Sequence, residues 1–171
     1  MTHLCYLGLG SNINPDTNIR CGLDELARAF HLNAVSRVYQ SEAVGFKGDA
    51  FLNLVVSIST TLDLEALSIR LREIEYDYGR PVDCTKFSPR TLDIDLLTYD
   101  NLAGCMAGIT LPRPETIINA FVLCPFVDIA PELVLPGQSM TLAELWRVYD
   151  GPRELAPVPF GWNRPADRTH N

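Results

Sequence analysis

Apolar and polar positions alternate along this chain with two different periods, and the periods mark out its elements. Leu4 to Leu9 is an apolar run that ends in Gly10-Ser11-Asn12, the signature of a buried strand closing in a turn where small residues permit close backbone approach. Ile19, Leu23, Leu26, Ala27 and Phe30 then recur at helical spacing behind Asp16 or Thr17, either of which can cap the helix. Ala34 to Tyr39 reads as a second strand. Phe51 to Thr60 reads as a third, with Leu52, Leu54, Val56 and Ile58 on one face and Phe51, Asn53, Val55 and Ser57 on the other. A second helix spans Leu62 to Tyr78, with Asp63 as its cap, Leu64, Leu67, Leu71 and Ile74 on one stripe, and Gly79 as its stop. Leu92 to Leu97 is the fourth strand, followed by a short hairpin between Tyr99 and Thr110. Pro112 and Pro114 bound a short helix around Glu115 to Asn119; an apolar segment from Phe121 to Ile129, interrupted by Pro125, and a helix near Leu142 to Tyr149 complete the pattern. From Gly151 onward no period remains, so residues 1–150 are expected to form one domain and residues 151–171 an extended or disordered tail.

The order β-α-β-β-α-β with short connections predicts an α+β fold, a ferredoxin-like sandwich with a mainly antiparallel sheet, helices on one face and further C-terminal helices. The other face of that sheet would carry Phe51, Asn53, Asp93 and Asp95 together. In Leu92-Asp93-Ile94-Asp95-Leu96 the carboxylates share a face and sit about 7 Å apart at Cα, while the aliphatic residues point into a core. Hard oxygen ligands of this kind suit magnesium holding substrate phosphates. A solvent-facing edge strand carries the same pattern without function. Ser88-Pro89-Arg90 before it favours the functional reading, since proline fixes the chain and arginine presents a planar fork to phosphate oxygens. Asn53 has two readings as well: an amide paired with the edge of a flat heterocycle while Phe51 stacks on its face, or an edge-strand amide bonded to a loop.

Composition narrows the function. With 171 residues, 47% hydrophobic and 20% charged, the chain resembles an ordinary soluble domain, and its net charge of -7 argues against a nucleic-acid backbone as partner. Five scattered cysteines without a C-x-x-C pair read as reduced residues, and three scattered histidines assemble neither a zinc site nor a His-based triad. No apolar run reaches membrane length, so a cytoplasmic location is expected, with no membrane partner. The glycines of Gly8-Leu9-Gly10 lack the third glycine of a dinucleotide loop, where Ile13 stands, and there is no P-loop. Two loops with potential mobility, Ser41 to Asp49 and Gly79 to Ser88, flank the strands of interest.

Taken together, Leu9-Gly10-Ser11-Asn12, Phe51-Leu52-Asn53, Ile74-Glu75 with Gly79-Arg80, Pro89-Arg90-Thr91-Leu92-Asp93-Ile94-Asp95-Leu96-Leu97, Phe121-Val122-Leu123-Cys124-Pro125 and Asp128-Ile129-Ala130-Pro131-Glu132-Leu133 resemble the 6-hydroxymethyl-7,8-dihydropterin pyrophosphokinase family over about residues 4 to 146. The resemblance implies magnesium-dependent transfer of diphosphate from ATP to a pterin alcohol in folate biosynthesis, with ATP and the pterin as partners and a monomer favoured. It implies that Asp93 and Asp95 bind two magnesium ions and that Arg80 and Arg90 act with them on the phosphates. Phe51, Asn53, Phe121, Ser41 and Val44 would bind the pterin, with Phe51 and Phe121 sandwiching the ring; Glu75, Lys86, Thr110 and Arg113 would serve the nucleotide.

Several positions depart from the family's pattern. Val82 and Asp83 stand where it commonly has basic residues, Gly108 and Asn119 replace two more, Phe87-Ser88 replaces Trp-Gly, and Arg113 replaces a histidine. Each lost charge-assisted contact would weaken nucleotide binding by about 1.5–3 kcal/mol. The alternative is therefore a divergent paralogue that binds a pterin-like heterocycle with weak or no transfer. A ferredoxin-like RNA-binding domain fails on charge and on the absence of an RNP-type aromatic signature.

Overall fold

The computed structural model describes residues 1–41, 50–78 and 92–165. Val44, Arg80, Lys86 and Arg90, the family departures at Val82, Asp83, Phe87 and Ser88, and most of both expected loops lie outside the described residues. The elements are β1 (His3–Ser11), α1 (Pro15–Ala29), β2 (His31–Val35), β3 (Val38–Ser41), β4 (Phe51–Thr60), α2 (Leu64–Tyr78), β5 (Asp93–Tyr99), β6 (Gly104–Met106), β7 (Ile109–Leu111), a 3-10 turn at Pro114–Thr116, α3 (Ala120–Ile129), α4 (Leu142–Val148) and β8 (Leu155–Val158). The main sheet runs β5-β1-β4-β3-β8, with β2 also on β4, and every pairing in it is antiparallel. Counting β2 and β3 as halves of one strand, this is the ferredoxin-like order predicted from sequence.

One face of the sheet is buried under α1 and α2. Ile19, Leu23 and Leu26 of α1 and Leu67, Leu71 and Ile74 of α2 meet Leu7, Leu9, Leu54, Val56, Ile58, Ile94 and Leu96 in one core. The second face is covered over part of its length by α3 and α4, where Leu123, Phe126 and Leu142 pack on Val55 and Leu97. Beyond α3 that second face lies open. Among the described residues no helix is long and apolar enough to cross a membrane.

Five local features differ from the pattern-based expectation. α1 begins at Pro15 after Asn14, because proline is pre-set for the first helical position; Asp16 instead pairs with Arg20 at 2.9 Å. The second strand, expected as Ala34 to Tyr39, breaks at Ser36. Its backbone N–H donates to the Val55 carbonyl, its hydroxyl accepts from the Val55 N–H and donates to the Arg37 carbonyl, and the pairing register with β4 shifts by one residue across it. The turn after Leu111 holds only a 3-10 turn rather than a helix to Asn119. Pro125 does not interrupt α3, which runs through it and lacks only the one backbone hydrogen bond a proline cannot donate.

The fifth difference is the stretch beyond Gly151. Among its described residues Leu155–Val158 is an edge strand of the main sheet, paired with β3. Past it, Phe160 and Trp162 pack against the first core, the Arg20 guanidinium lies 4.3 Å from the Phe160 ring centre, and the Trp162 indole donates to Asp24 at 2.8 Å. The aperiodic sequence hid this strand because a four-residue edge strand containing Pro157 carries no readable period.

Phe126 holds α3 to the sheet. It is fully buried, and its ring centre is 4.7 Å from that of Tyr6. Phe126→Ala is therefore expected to lower stability by about 3–5 kcal/mol, read as a fall in the urea midpoint at unchanged slope.

Candidate functional site

Open sheet meets α3 in a cleft of about 1070 Å³, large enough for two small molecules. Its floor is built by β1, β4 and β5. Gly10 pairs with Asn53 on one side and Asp93 on the other, and Gly8 pairs with Val55 and Asp95, so these two rows of residues leave the sheet on the same face. The two glycines put bare backbone between the amide of Asn53 and the carboxylates. At Gly10 a Cβ would fall 2.7 Å from Asn53 Oδ1, so a side chain there would displace the Asn53 amide from its present position. At Gly8 a Cβ would make ordinary contact with Leu97 at 3.6 Å, so that glycine keeps the floor low rather than relieving a clash.

The sequence-derived candidates Ser41, Phe51, Asn53, Asp93, Asp95, Arg113 and Phe121 all line this cleft. Asn53 lies on a central strand, not an edge, and its amide donates to Ser41 Oγ on β3 at 3.4 Å. Phe51 pairs with Ser41 at the end of β4 and is half-buried, while Phe121 at the start of α3 is 41% exposed, leaving ring surface toward the cleft. β5 is an edge strand, as the bland reading of its D-x-D pattern has it, yet both carboxylates line the cleft.

Glu75 and Thr110 lie outside the cleft lining. Glu75 Oε1 accepts from the Ile94 N–H at 2.8 Å, which fixes the backbone of β5 midway between Asp93 and Asp95. Thr110 is exposed on β7, paired with Cys105. Gly108, where a basic residue was expected by resemblance, sits beside Ala107 in the two-residue turn of the β6–β7 hairpin. Both have positive φ, 76° and 52°, a conformation that glycine adopts without strain. Asn119 is the residue before α3 and lines the cleft.

The electrostatics centre on Asp95. Burial pushes its carboxyl up from the ordinary range, Arg113 opposes this, and Glu115 reinforces it. Arg113 is ion-paired with both, at 3.5 Å to Asp95 and 3.4 Å to Glu115, and its backbone N–H donates to the Leu97 carbonyl at 2.8 Å. Glu115 was not singled out from sequence, because a glutamate after Arg113-Pro114 carries no signal of its own. Nor were Tyr149, Glu154 and Leu155, which also line the cleft. Tyr149 arrives there at the end of α4, and Glu154 and Leu155 through the return of the C-terminal stretch, which only the sheet pairing reveals. The Tyr149 hydroxyl donates to the Ile118 carbonyl at 3.0 Å and so steadies the turn that leads into Phe121.

Two carboxylates with hard oxygen donors, side by side on a cleft wall, suit a magnesium ion that keeps several waters and takes its remaining ligands from phosphate. Among the described residues no group of three or more His, Cys, Asp or Glu side chains is placed to hold a metal ion.

Fold and cleft together describe an α+β sandwich whose cleft is lined by a carboxylate pair, an asparagine amide and two phenylalanine rings. A sequence profile of the 7,8-dihydro-6-hydroxymethylpterin-pyrophosphokinase (HPPK) family matches residues 6–131, and the chain belongs to that family. It is 34% identical over 146 residues to the 2-amino-4-hydroxy-6-hydroxymethyldihydropteridine pyrophosphokinase of Synechocystis sp., covering 84% of this chain and 74% of that protein. To the enzyme of the same name from Pseudomonas aeruginosa it is 35% identical over 140 residues, covering 80% and 86%. Among solved structures, a Plasmodium falciparum HPPK-DHPS with pteroate superposes with a TM-score of 0.68 at 12% identity, covering 86% of this chain and 43% of that one. The chain thus spans less than half of that protein, and the likeness concerns the fold.

The close approach of Gly10 to Asn53 can be tested directly. Gly10→Ala is expected to push the Asn53 amide out of place, moving its side-chain NH2 pair in a ¹H–¹⁵N spectrum, at a stability loss of about 1–3 kcal/mol.

Proposed function

We propose that this chain transfers diphosphate from ATP to 6-hydroxymethyl-7,8-dihydropterin with magnesium, releasing AMP, as a step of folate biosynthesis. Family membership supports the pyrophosphokinase class. The single observation that carries the finer reading is that Asn53, Phe51 and Phe121 share one cleft with Asp93 and Asp95 over a glycine floor.

Each group has a task that its surroundings favour. A flat pterin slides between the Phe51 and Phe121 rings, and Asn53 reads its polar edge with an amide that can donate and accept at once. Ser41 holds the Asn53 amide from the next strand. The bare backbone at Gly8 and Gly10 lets the hydroxymethyl group lie close to the sheet, facing the carboxylates. Asp93 and Asp95 would hold two magnesium ions, and Arg113, with Arg80, Arg90 and Lys86 in the segment outside the described residues, would meet the nucleotide phosphates. Bound there, magnesium would neutralise the charge that spreads over the phosphate oxygens during transfer. Glu75 serves the nucleotide end indirectly, through the backbone of β5.

Chemistry of this kind depends on alignment more than on a strong base. The pterin hydroxymethyl oxygen forms a bond to the β-phosphorus and gives up its proton to solvent, the bond from that phosphorus to the oxygen bridging it to the α-phosphorus breaks, and AMP leaves on the opposite side with that oxygen. The residues of the cleft hold the two reactants in line; none of them needs to form a covalent bond.

Asp95→Asn is the direct test. It removes the charge but keeps the shape, so the fold should persist with a melting temperature close to the parent's. AMP release with ATP and hydroxymethyl-dihydropterin should fall by about a thousandfold or more, the scale of losing a metal-holding group in phosphoryl transfer. Activity near the parent's would remove the metal role from this carboxylate.

A further inference from the structure

A slot that grips a flat ring between a helix and a sheet works only if the gap between them is fixed. Phe121 is on α3; Asn53 and Phe51 are on β4. Tyr39 provides the tie between the two. It is 2% exposed, and it pairs in register with Asn53, so both side chains leave the sheet on the face that α3 covers. Its hydroxyl donates to Asp128 Oδ2 at 2.7 Å. Arg37, just before β3, grips the same carboxylate with two donors, Nε to Oδ2 at 3.2 Å and Nη2 to Oδ1 at 3.0 Å, and its guanidinium carbon lies 5.4 Å from the Tyr39 ring centre.

Asp128 is seven residues beyond Phe121 on α3, with Cys124 between them, so the three fall on one stripe of the helix. Cys124 also meets the Tyr39 hydroxyl. Burial first, and then the hydrogen bonds from this stripe, push the Tyr39 hydroxyl above its ordinary range, so it stays protonated as the donor. At the other end of α3, the Tyr149 hydroxyl holds the Ile118 carbonyl. The helix is therefore tied on both sides of the residue that faces the cleft.

We propose that the Tyr39–Asp128 hydrogen bond, braced by Arg37, is a positioning device for the heterocycle slot. It sets the rotation and height of α3 over β3 and β4, and with them the gap between the Phe121 ring and Asn53. Tyr39 and Asp128 touch no substrate; they act through the two residues that do. This inference rests on the pterin-transfer reading, because the gap matters only if a flat ring fills it.

The experiment compares the full chain with Tyr39→Phe, Asp128→Asn and Asp128→Glu. Binding of fluorescent oxidised 6-hydroxymethylpterin is titrated in the presence of magnesium and α,β-methylene-ATP, KM values for dihydropterin and ATP are taken from AMP release, and melting temperatures are recorded. Tyr39→Phe and Asp128→Asn should raise the pterin Kd and KM about tenfold, the scale of one buried hydrogen bond, and Asp128→Glu should recover most of it. The KM for ATP should stay within about twofold, a split that a general loss of stability would not produce. Variants that melt earlier but bind pterin as the parent does overturn the positioning role and leave the transfer reading standing. A parent chain that binds no pterin overturns both. Tyr39→Phe removes a single oxygen, so it decides the question even if the Asp128 variants fail to fold.

Discussion

The structure depends on a central strand that is hydrogen-bonded along both edges and yet, at the cleft end of one face, carries only glycine. β1 lies between β4 and β5, and at Gly8 and Gly10 it offers backbone where its neighbours offer Asn53, Asp93 and Asp95. A side chain at Gly10 would collide with Asn53. The absence of side chains here is what allows a polar amide and two carboxylates to flank one concave floor without competing for its space. Everything else in the fold serves to keep that floor in place and to wall it.

Two cores divide this work. The α1–α2 side closes one sheet face completely, with Leu7, Leu9, Leu54, Val56 and Ile94 anchoring the three floor strands from below. The α3–α4 side covers only part of the other face, where Phe126 and Leu123 sit on Val55 and Leu97. The edge of α3 then becomes the wall of the cleft and brings Phe121 to its rim. Polar contacts refine what the apolar packing begins: Tyr39 and Arg37 hold Asp128, Tyr149 holds the Ile118 carbonyl, and Glu75 holds the Ile94 N–H between the carboxylates.

The carboxylate side of the cleft has a different character. Among the described lining residues Arg113 is the cation, and it is ion-paired with both Asp95 and Glu115. For it to meet a phosphate, one or both of those pairings must give way, which a metal on the carboxylates would favour by taking over the neutralisation of Asp95. Gly108 belongs to a turn that needs positive φ, so its loss of charge relative to the family pattern goes with a tight hairpin.

Much of this was legible in the linear pattern. Period-two alternation in Phe51 to Thr60 and in Leu92 to Leu97 assigned Asn53, Asp93 and Asp95 to one side and the aliphatic residues to the other, because side-chain direction on a strand follows from the backbone alone. Helical periodicity gave α1 and α2 for the same reason, and their number and order gave the sandwich. The break at Ser36 was not legible, since it arises from a serine hydroxyl bonding across to Val55. The strand at Leu155–Val158 was hidden because its partner lies more than a hundred residues away on β3. Glu115, Tyr149 and the tie from Tyr39 to Asp128 likewise depend on segments distant in sequence meeting around one cleft. The sequence by itself determined which residues face which way on each element; the tertiary structure decided which of those faces meet, because burial and hydrogen bonding between remote segments leave no period in the chain.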